Sequence, residues 1–306
     1  MTAFFGKRLA YSLISLFGLL VLVFFLSRLT GNPADVLLPP DASAAERQAF
    51  SERHGFDEPI HIQFLQYLSD LLRLDFGESL RQNRSAMEVA LNAYPTTLQL
   101  AGLTMVLATT AALLVGALAA IRPGGLFDKI ASVFSLTGAS TPDFWVAIVA
   151  VLVFAVGLGL VPTSGTGTPM HWILPIAVLF LRPFGLLVQI VRGAMISALA
   201  SPYVKTALAK GVRDRRIVFA HAMRNSLLPT VTVAGDVATG LINGAVVIET
   251  VFGFPGIGKL MIDAIHQRDF AVVQATILIT ACAIFIMNIV IDIIYAILDP
   301  RIRYQS

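Results

Sequence analysis

Six long apolar runs dominate this sequence: about Leu9–Leu29, Leu98–Ile121, Ile130–Val161, Trp172–Val191, Thr230–Val251 and Phe270–Ile297. Each is near or above the roughly 20 residues with which an α-helix crosses a bilayer. Inside lipid every backbone N–H and C=O must find a partner within the protein, so such runs fold as helices. The expected fold class is all-α: a polytopic membrane protein with six transmembrane helices. Charge agrees, because only 13% of the 306 residues are charged and 56% are hydrophobic, where an ordinary soluble domain carries roughly 25% charged residues. The third run is too long for one straight crossing and too short for two. Pro142, followed by Asp143, interrupts it. A kinked or partly interfacial helix is expected there, since proline removes a backbone hydrogen bond and clashes with the preceding turn.

Charge sets the orientation. With the N-terminus inside, the inner segments are Met1–Arg8, Arg122–Lys129, Arg192–Pro229 and Asp299–Ser306. They hold 2, 2, 7 and 2 Lys or Arg, against the acids Asp128, Asp214 and Asp299. The long outer segment, Arg28–Tyr94, holds six basic and ten acidic residues. By the positive-inside rule both termini are expected in the cytoplasm. The chain then divides into a first transmembrane helix (1–29), an external segment (30–95) and a core of transmembrane helices (96–306) that contains a cytoplasmic loop (201–228). Lys7 and Arg8 before Leu9–Leu26 could open a signal peptide. No small-x-small site follows in Ser27–Gly31, and the run exceeds a usual signal core, so an uncleaved first span is expected. The basic pI of about 9.2 comes with a net charge of only +3. Loop topology accounts for it without nucleic acid. The single cysteine, Cys282, rules out a disulfide framework and a four-cysteine zinc site.

The external segment has its own pattern. Ile60, Phe64, Leu65, Leu68 and Leu72 recur near helical spacing, and Gly55, Pro59 and Gly77 punctuate the flanks. An amphipathic helix within a small external cap is expected.

Between the fourth and fifth runs lies SPYVKTALAKGVRDRRIVFAHAMRNSLLP, Ser201 to Pro229, with six Lys or Arg and one acid. Ser201-Pro202 is a good helix start, serine as cap and proline at the first helical position. Val204, Leu208 and Val212 fall on one face. Gly211 can take the left-handed conformation that ends a helix, and Asp214 can cap a second helix over Arg215–Asn225. The predicted unit is a short helix, a glycine turn and a longer helix, with Pro229 opening the next span. Three readings compete. The first is a bare topology signal and the second a DNA-binding helix-turn-helix, which a position between two spans disfavours. The third is a docking unit whose apolar stripe enters a groove on a soluble protein while its charges set register.

KTALAKG (Lys205–Gly211) followed by HAMRNSLLPTVTV (His221–Val233) resembles the cytoplasmic coupling motif of ABC-transporter permeases. ETVFGFPGIGKLMIDAIHQRDFAVVQ (Glu249–Gln274), DPRIRY (Asp299–Tyr304), RLTGNPAD (Arg28–Asp35) and LDFGESL (Leu74–Leu80) resemble further stretches of the first permease subunit in the dipeptide, oligopeptide and nickel importer branch. Lys205 and Thr206 stand where the wider importer pattern has Glu-Ala, and Gly211 lies farther from Pro229 than that pattern allows; the peptide branch has both features. The resemblance implies a permease subunit of a binding-protein-dependent importer, moving peptides or a similar small solute by ATP-driven alternating access. It implies a homologous second permease, two cytoplasmic ATP-binding subunits, an external substrate-binding protein and membrane lipid as partners. The chain itself would carry no catalytic residue, metal or cofactor, with ATP and magnesium held by the ATPases. Val204, Lys205, Ala207, Leu208, Gly211 and Asp214 would form the ATPase-coupling set.

Other motifs compete with this reading. Gly253-Phe254-Pro255-Gly256-Ile257-Gly258-Lys259 fits most of a nucleotide P-loop but lacks the magnesium-binding Ser or Thr, because Leu260 follows. A tight turn into a short outer helix is expected instead, with the glycines supplying positive φ. His54, Asp57, Glu58 and His61 could ligate a metal by residue type, but their context reads as a turn and helix start. Ionisable residues within spans are costly. Arg182, Asp236, Asn288 and Asp292 could serve helix-to-helix hydrogen bonding. Alternatively Asp236, Asn243 and Glu249, at spacings of seven and six, would line a substrate path on one helix face. A permease for nickel or another non-peptide solute, or a stand-alone secondary transporter, remains the alternative function.

Overall fold

The computed structural model describes residues 2–29, 38, 42–79 and 81–298 of the chain. Helix dominates them, and the strands among them are the two-residue pair Glu78–Ser79 and Arg84–Ser85. Among the described residues, Ala86–Ile121, Met170–Leu199 and Phe270–Ile291 are each long and apolar enough to cross a membrane. Two bent pairs raise that number to as many as five. The Thr2–Leu29 helix contains a shorter apolar stretch, Leu13–Leu26.

The third apolar run breaks at its proline. Leu126–Ser140 and Asp143–Gly157 meet at 102°. Thr141 is extended, at φ −82° and ψ 133°, as a residue before proline must be. The break is therefore a sharp turn, beyond the gentle kink expected. The second run also differs from expectation, because its helix begins at Ala86 and carries Pro95 inside it, so the sequence boundary near 95 falls within a helix. The fifth differs most. Asp214–Arg216, the π segment Ile217–Ala222 and Met223–Phe252 follow one another without a break, with Pro229 inside the helix. Pro229 does not open a new helix, because the π segment runs straight into the helix that contains it.

The chain packs as two compact units, Met1–Pro95 with Leu260–Phe285, and Thr96–Lys259 with Ile286–Ser306. In the first, Ser43 and Glu46 form a capping box, each accepting the other's backbone N–H, at 3.2 and 2.8 Å. Gly55 ends that helix at φ +65°. Pro59 precedes the amphipathic Ile60–Leu72 helix, whose Phe64 and Tyr67 pack on Phe24 with ring centroids 5.3 and 5.1 Å away. Asp269 caps the last helix through Val272 N–H at 3.3 Å and accepts the Ser79 hydroxyl at 2.7 Å.

Small residues let helices of the second unit approach closely, the packing mode expected where lipid offers no hydrophobic drive. A Cβ on Gly116 would lie 2.8 Å from that of Val191, one on Gly138 would lie 3.0 Å from the Leu181 carbonyl, and one on Gly185 would overlap the Ser135 carbonyl oxygen. Buried residues such as Leu100, Val178, Ile248 and Phe254 form one apolar cluster. Ala117, Val191, Met195, Val218 and Ala222 belong to a second, built partly from the π segment.

Candidate functional site

The basic loop folds as a short helix, Pro202–Ala209, then a glycine turn, then the start of the long helix at Asp214. Gly211 sits at φ +76°. Its N–H donates to the Leu208 carbonyl at 2.9 Å, and the Val212 N–H reaches back to Ala207 at 3.1 Å. These are the two bonds of a Schellman motif. Two expected caps differ. The Ser201 hydroxyl donates to the Ala198 carbonyl at 2.5 Å and caps nothing. Asp214 lies in the first turn, while Arg213 occupies the cap position without a side-chain bond. Asp214 still places its charge beside the helix N-terminus, where the dipole favours an anion.

The two arms of the unit are joined. Asn225 Nδ2 donates to the Tyr203 hydroxyl at 2.6 Å, and Pro202–Ala209 packs on the π segment Ile217–Ala222. Val204, expected on an outward stripe, is buried at 3% exposure. Leu208, Tyr203 and Phe219 are exposed, Lys205 is exposed and Ala207 is half-buried. The stripe that spacing suggested is thus divided: Val204 fixes the short helix to its own chain and Leu208 faces away.

Just upstream, Arg192 grips Asp128 through Nε on Oδ1 and through Nη2 on Oδ2 at 2.8 Å. Asp128 Oδ2 also accepts the Gly124 N–H at 2.7 Å. The guanidinium hydrogen bonds, then the Gly124 N–H, hold the Asp128 carboxyl down to about 2 against the opposing effect of burial. By sequence these two residues counted only as loop charges; nothing in their separation of 64 residues announces a pair.

Glu249 is fully buried. Its Oε1 accepts the Thr97 hydroxyl at 2.5 Å, and its Oε2 accepts the backbone N–H groups of Gly258 and Lys259 at 2.8 and 3.1 Å. Thr97 Oγ1 in turn accepts the Ile257 N–H at 2.9 Å. Three successive N–H groups at the start of the Ile257–Gln267 helix are satisfied in this way, at the end where the dipole favours negative charge. Glycine-rich helix starts can cradle an anion; here their N–H groups are taken by the carboxyl group of the chain's own Glu249. Only Gly253 uses positive φ, at +64°, to end the preceding helix. Gly256 and Gly258 serve close approach: a Cβ on Gly256 would overlap the Glu249 carboxylate, and one on Gly258 would lie 2.6 Å from the Val246 Cα.

Of the proposed path residues, Glu249 is held within its own chain. Asp236 is exposed and Glu249 enclosed. The side chains of Asn243 and Asp292 lie outside the described residues. Arg182 is exposed and Asn288 half-buried. Asp57, Glu58 and His61 are exposed, while the His54 side chain lies outside the described residues, as do RLTGNPAD from Thr30 to Asp35 and the C-terminal DPRIRY.

Residues 112–304 match the family described as "Binding-protein-dependent transport system inner membrane component". Over 335 aligned residues, covering all of both chains, the sequence is 37% identical to a di/tripeptide transport system permease protein of Pseudomonas aeruginosa. It is 34% identical to an oligopeptide transport system permease protein of Bacillus subtilis, over 99% of this chain and 100% of the relative. It is 33% identical to a glutathione transport system permease protein of Salmonella choleraesuis, over 98% of each. Among solved structures, an inward-facing form of the MetNI methionine ABC transporter is similar in fold, with a TM-score of 0.59 at 17% identity. That match covers 70% of this chain and 97% of the other.

Proposed function

Because this chain belongs to the family of binding-protein-dependent transport system inner membrane components, we propose that it is the permease subunit of an ABC importer for short peptides. The observation that carries this reading is end-to-end similarity, at 33–37% identity, to permeases named for di/tripeptides, oligopeptides and glutathione. It pairs with a homologous second permease. An external binding protein delivers the solute, and two cytoplasmic ATPases dock on the Ser201–Asn225 unit. ATP and magnesium belong to those ATPases; this chain is a pore subunit and carries no cofactor. It crosses the inner membrane six times with both termini in the cytoplasm. The Schellman turn at Gly211 and the Asn225–Tyr203 bond tie the docking unit to the start of the helix that follows. A displacement of that unit would be passed to the cytoplasmic end of Met223–Phe252, and alternating access follows as a choice between two packed arrangements. Asp236, exposed on that helix, is the path residue retained.

The test is reconstitution of the chain with its partner subunits in proteoliposomes, with ligands identified on the purified binding protein. Peptide uptake that needs ATP, the ATPases and the binding protein is expected. Uptake by this chain without ATPases, driven by an ion gradient, would overturn the assignment in favour of a secondary transporter.

A further inference from the structure

The Ile60–Leu72 helix is amphipathic, and only part of its apolar sector is used by the protein. Phe64 and Tyr67 pack on Phe24, and Phe25 stacks on Phe64 with ring centroids 5.9 Å apart. Leu65 and Leu72 lie beyond that contact, at 63% and 87% exposure. Seven residues apart, they share one line of the helix, since a heptad drifts by only about 20°. Gln63, Gln66 and Asp70 fall on the other side, His61 and Ser69 lie one turn before and after Leu65, and Asp70 is the helix's only Asp, Glu, Lys or Arg.

Two further observations say what covers the leucines. The apolar sector abuts the outward surface of Thr2–Leu29, where Phe17, Leu22, Phe25 and Leu26 are 50%, 54%, 42% and 53% exposed. Phe25 belongs both to that surface and to the contact with Phe64. The exposed leucines therefore extend a surface that lipid covers if Thr2–Leu29 crosses the bilayer. Secondly, Leu74, just past the helix, sits at φ +56° and is 56% exposed. Glycine or asparagine would hold that conformation at less cost. The exposed side chain of Leu74 adds apolar surface just past the end of the helix.

We propose that Ile60–Leu72 lies in the outer membrane–water interface, with Leu65, Leu72 and Leu74 inserted among lipid acyl chains and the Gln63–Asp70 side toward water. The mode is that of an interfacial amphipathic helix, and the inference rests on the reading above that Thr2–Leu29 spans the membrane. The segment then anchors the outer end of that span instead of forming a free external cap.

Spin labels placed singly at Leu65, Leu72, Leu74, Asp70 and Phe17, in a Cys282→Ala background, test this in the assembled complex in lipid nanodiscs. Collision with oxygen reports lipid, and collision with a nickel chelate reports water. The leucine sites should favour oxygen, approaching Phe17, while Asp70 favours nickel. Water-like values at Leu65 and Leu72 with a lipid-like Phe17 would overturn the inference and leave the span intact. Water-like values at Phe17 as well would remove the span itself. Leucine sites shielded from both reagents until the binding protein is removed would mark a protein-docking face, and would also overturn it.

Discussion

Gly258 donates its backbone N–H to Oε2 of Glu249 across 2.8 Å, and the same carboxyl fills the space that a side chain on Gly256 would need, while Val246 fills the space beside Gly258. Alanine at either glycine should therefore strain the turn by about 1–3 kcal/mol, the usual cost of overpacking. Gly102→Ala is the control, because a Cβ there meets nothing within 4 Å and a helical glycine is replaced. Apparent melting temperatures of the purified complex should fall for Gly256→Ala and Gly258→Ala and hold or rise for Gly102→Ala.

Thr97 both donates to Glu249 and accepts from Ile257. Thr97→Ser keeps both roles and should be nearly silent. Thr97→Val keeps the shape but leaves a buried carboxylate and an N–H short of a partner, at about 1–3 kcal/mol. Thermal melts separate the two variants; a Thr97→Val chain as stable as the wild type would mean that the network adds nothing.

How much of this was legible follows from the range of each interaction. The glycine stop at Gly211 and the break at Pro142 are local signals that fall where backbone chemistry puts them, whereas the helices that contain Pro95 and Pro229 begin well before their apolar runs. The split between Val204 and Leu208 was hidden, because it depends on the π segment Ile217–Ala222 packed against the short helix. The setting of Glu249 was hidden for a similar reason: its partner Thr97 is 152 residues away, so a charged residue in an apolar run carries no local sign of what holds it. The glycines of the P-loop-like stretch were correctly read as a turn, but two of the three answer to steric approach and not to φ.

The Asp128–Arg192 pair should matter more than a surface ion pair. Asp128→Ala strands a guanidinium that is mostly covered, its side chain 27% exposed, and should cost about 3 kcal/mol, the low end for a buried pair. The double exchange Asp128→Arg with Arg192→Asp should restore part of the loss. The pH dependence has a definite sign. Asp128 titrates at about 2 when folded, below the ordinary carboxylate value of about 4. Its contribution is complete above about pH 4 and is lost as pH falls through about 2, so the stability difference between wild type and Asp128→Asn should be flat at neutral pH and shrink only in that acid window. Acid melts of the two proteins measure it; a difference that shrinks near neutrality would mean that Asp128 is not held in this pair.

The docking unit yields the sharpest contrast, between Val204 and Leu208. Val204 is buried in its own chain, so Val204→Asp should impair folding and lower the amount of protein in the membrane. Leu208, half exposed at 50%, should tolerate Leu208→Asp without loss of protein but with weaker ATPase co-purification. Gly211 separates backbone from packing, since a Cβ there meets nothing within 4 Å while φ is +76°. Gly211→Asn should be mild and Gly211→Ala should cost about 1 kcal/mol. Gly211→Val should cost more, because β-branched residues enter the left-handed region poorly. Loss of the turn would redirect Leu208, so Gly211→Val should insert normally yet reduce ATP-driven uptake at matched membrane levels. Normal uptake by Gly211→Val would mean that the loop only orients the chain and does not transmit motion.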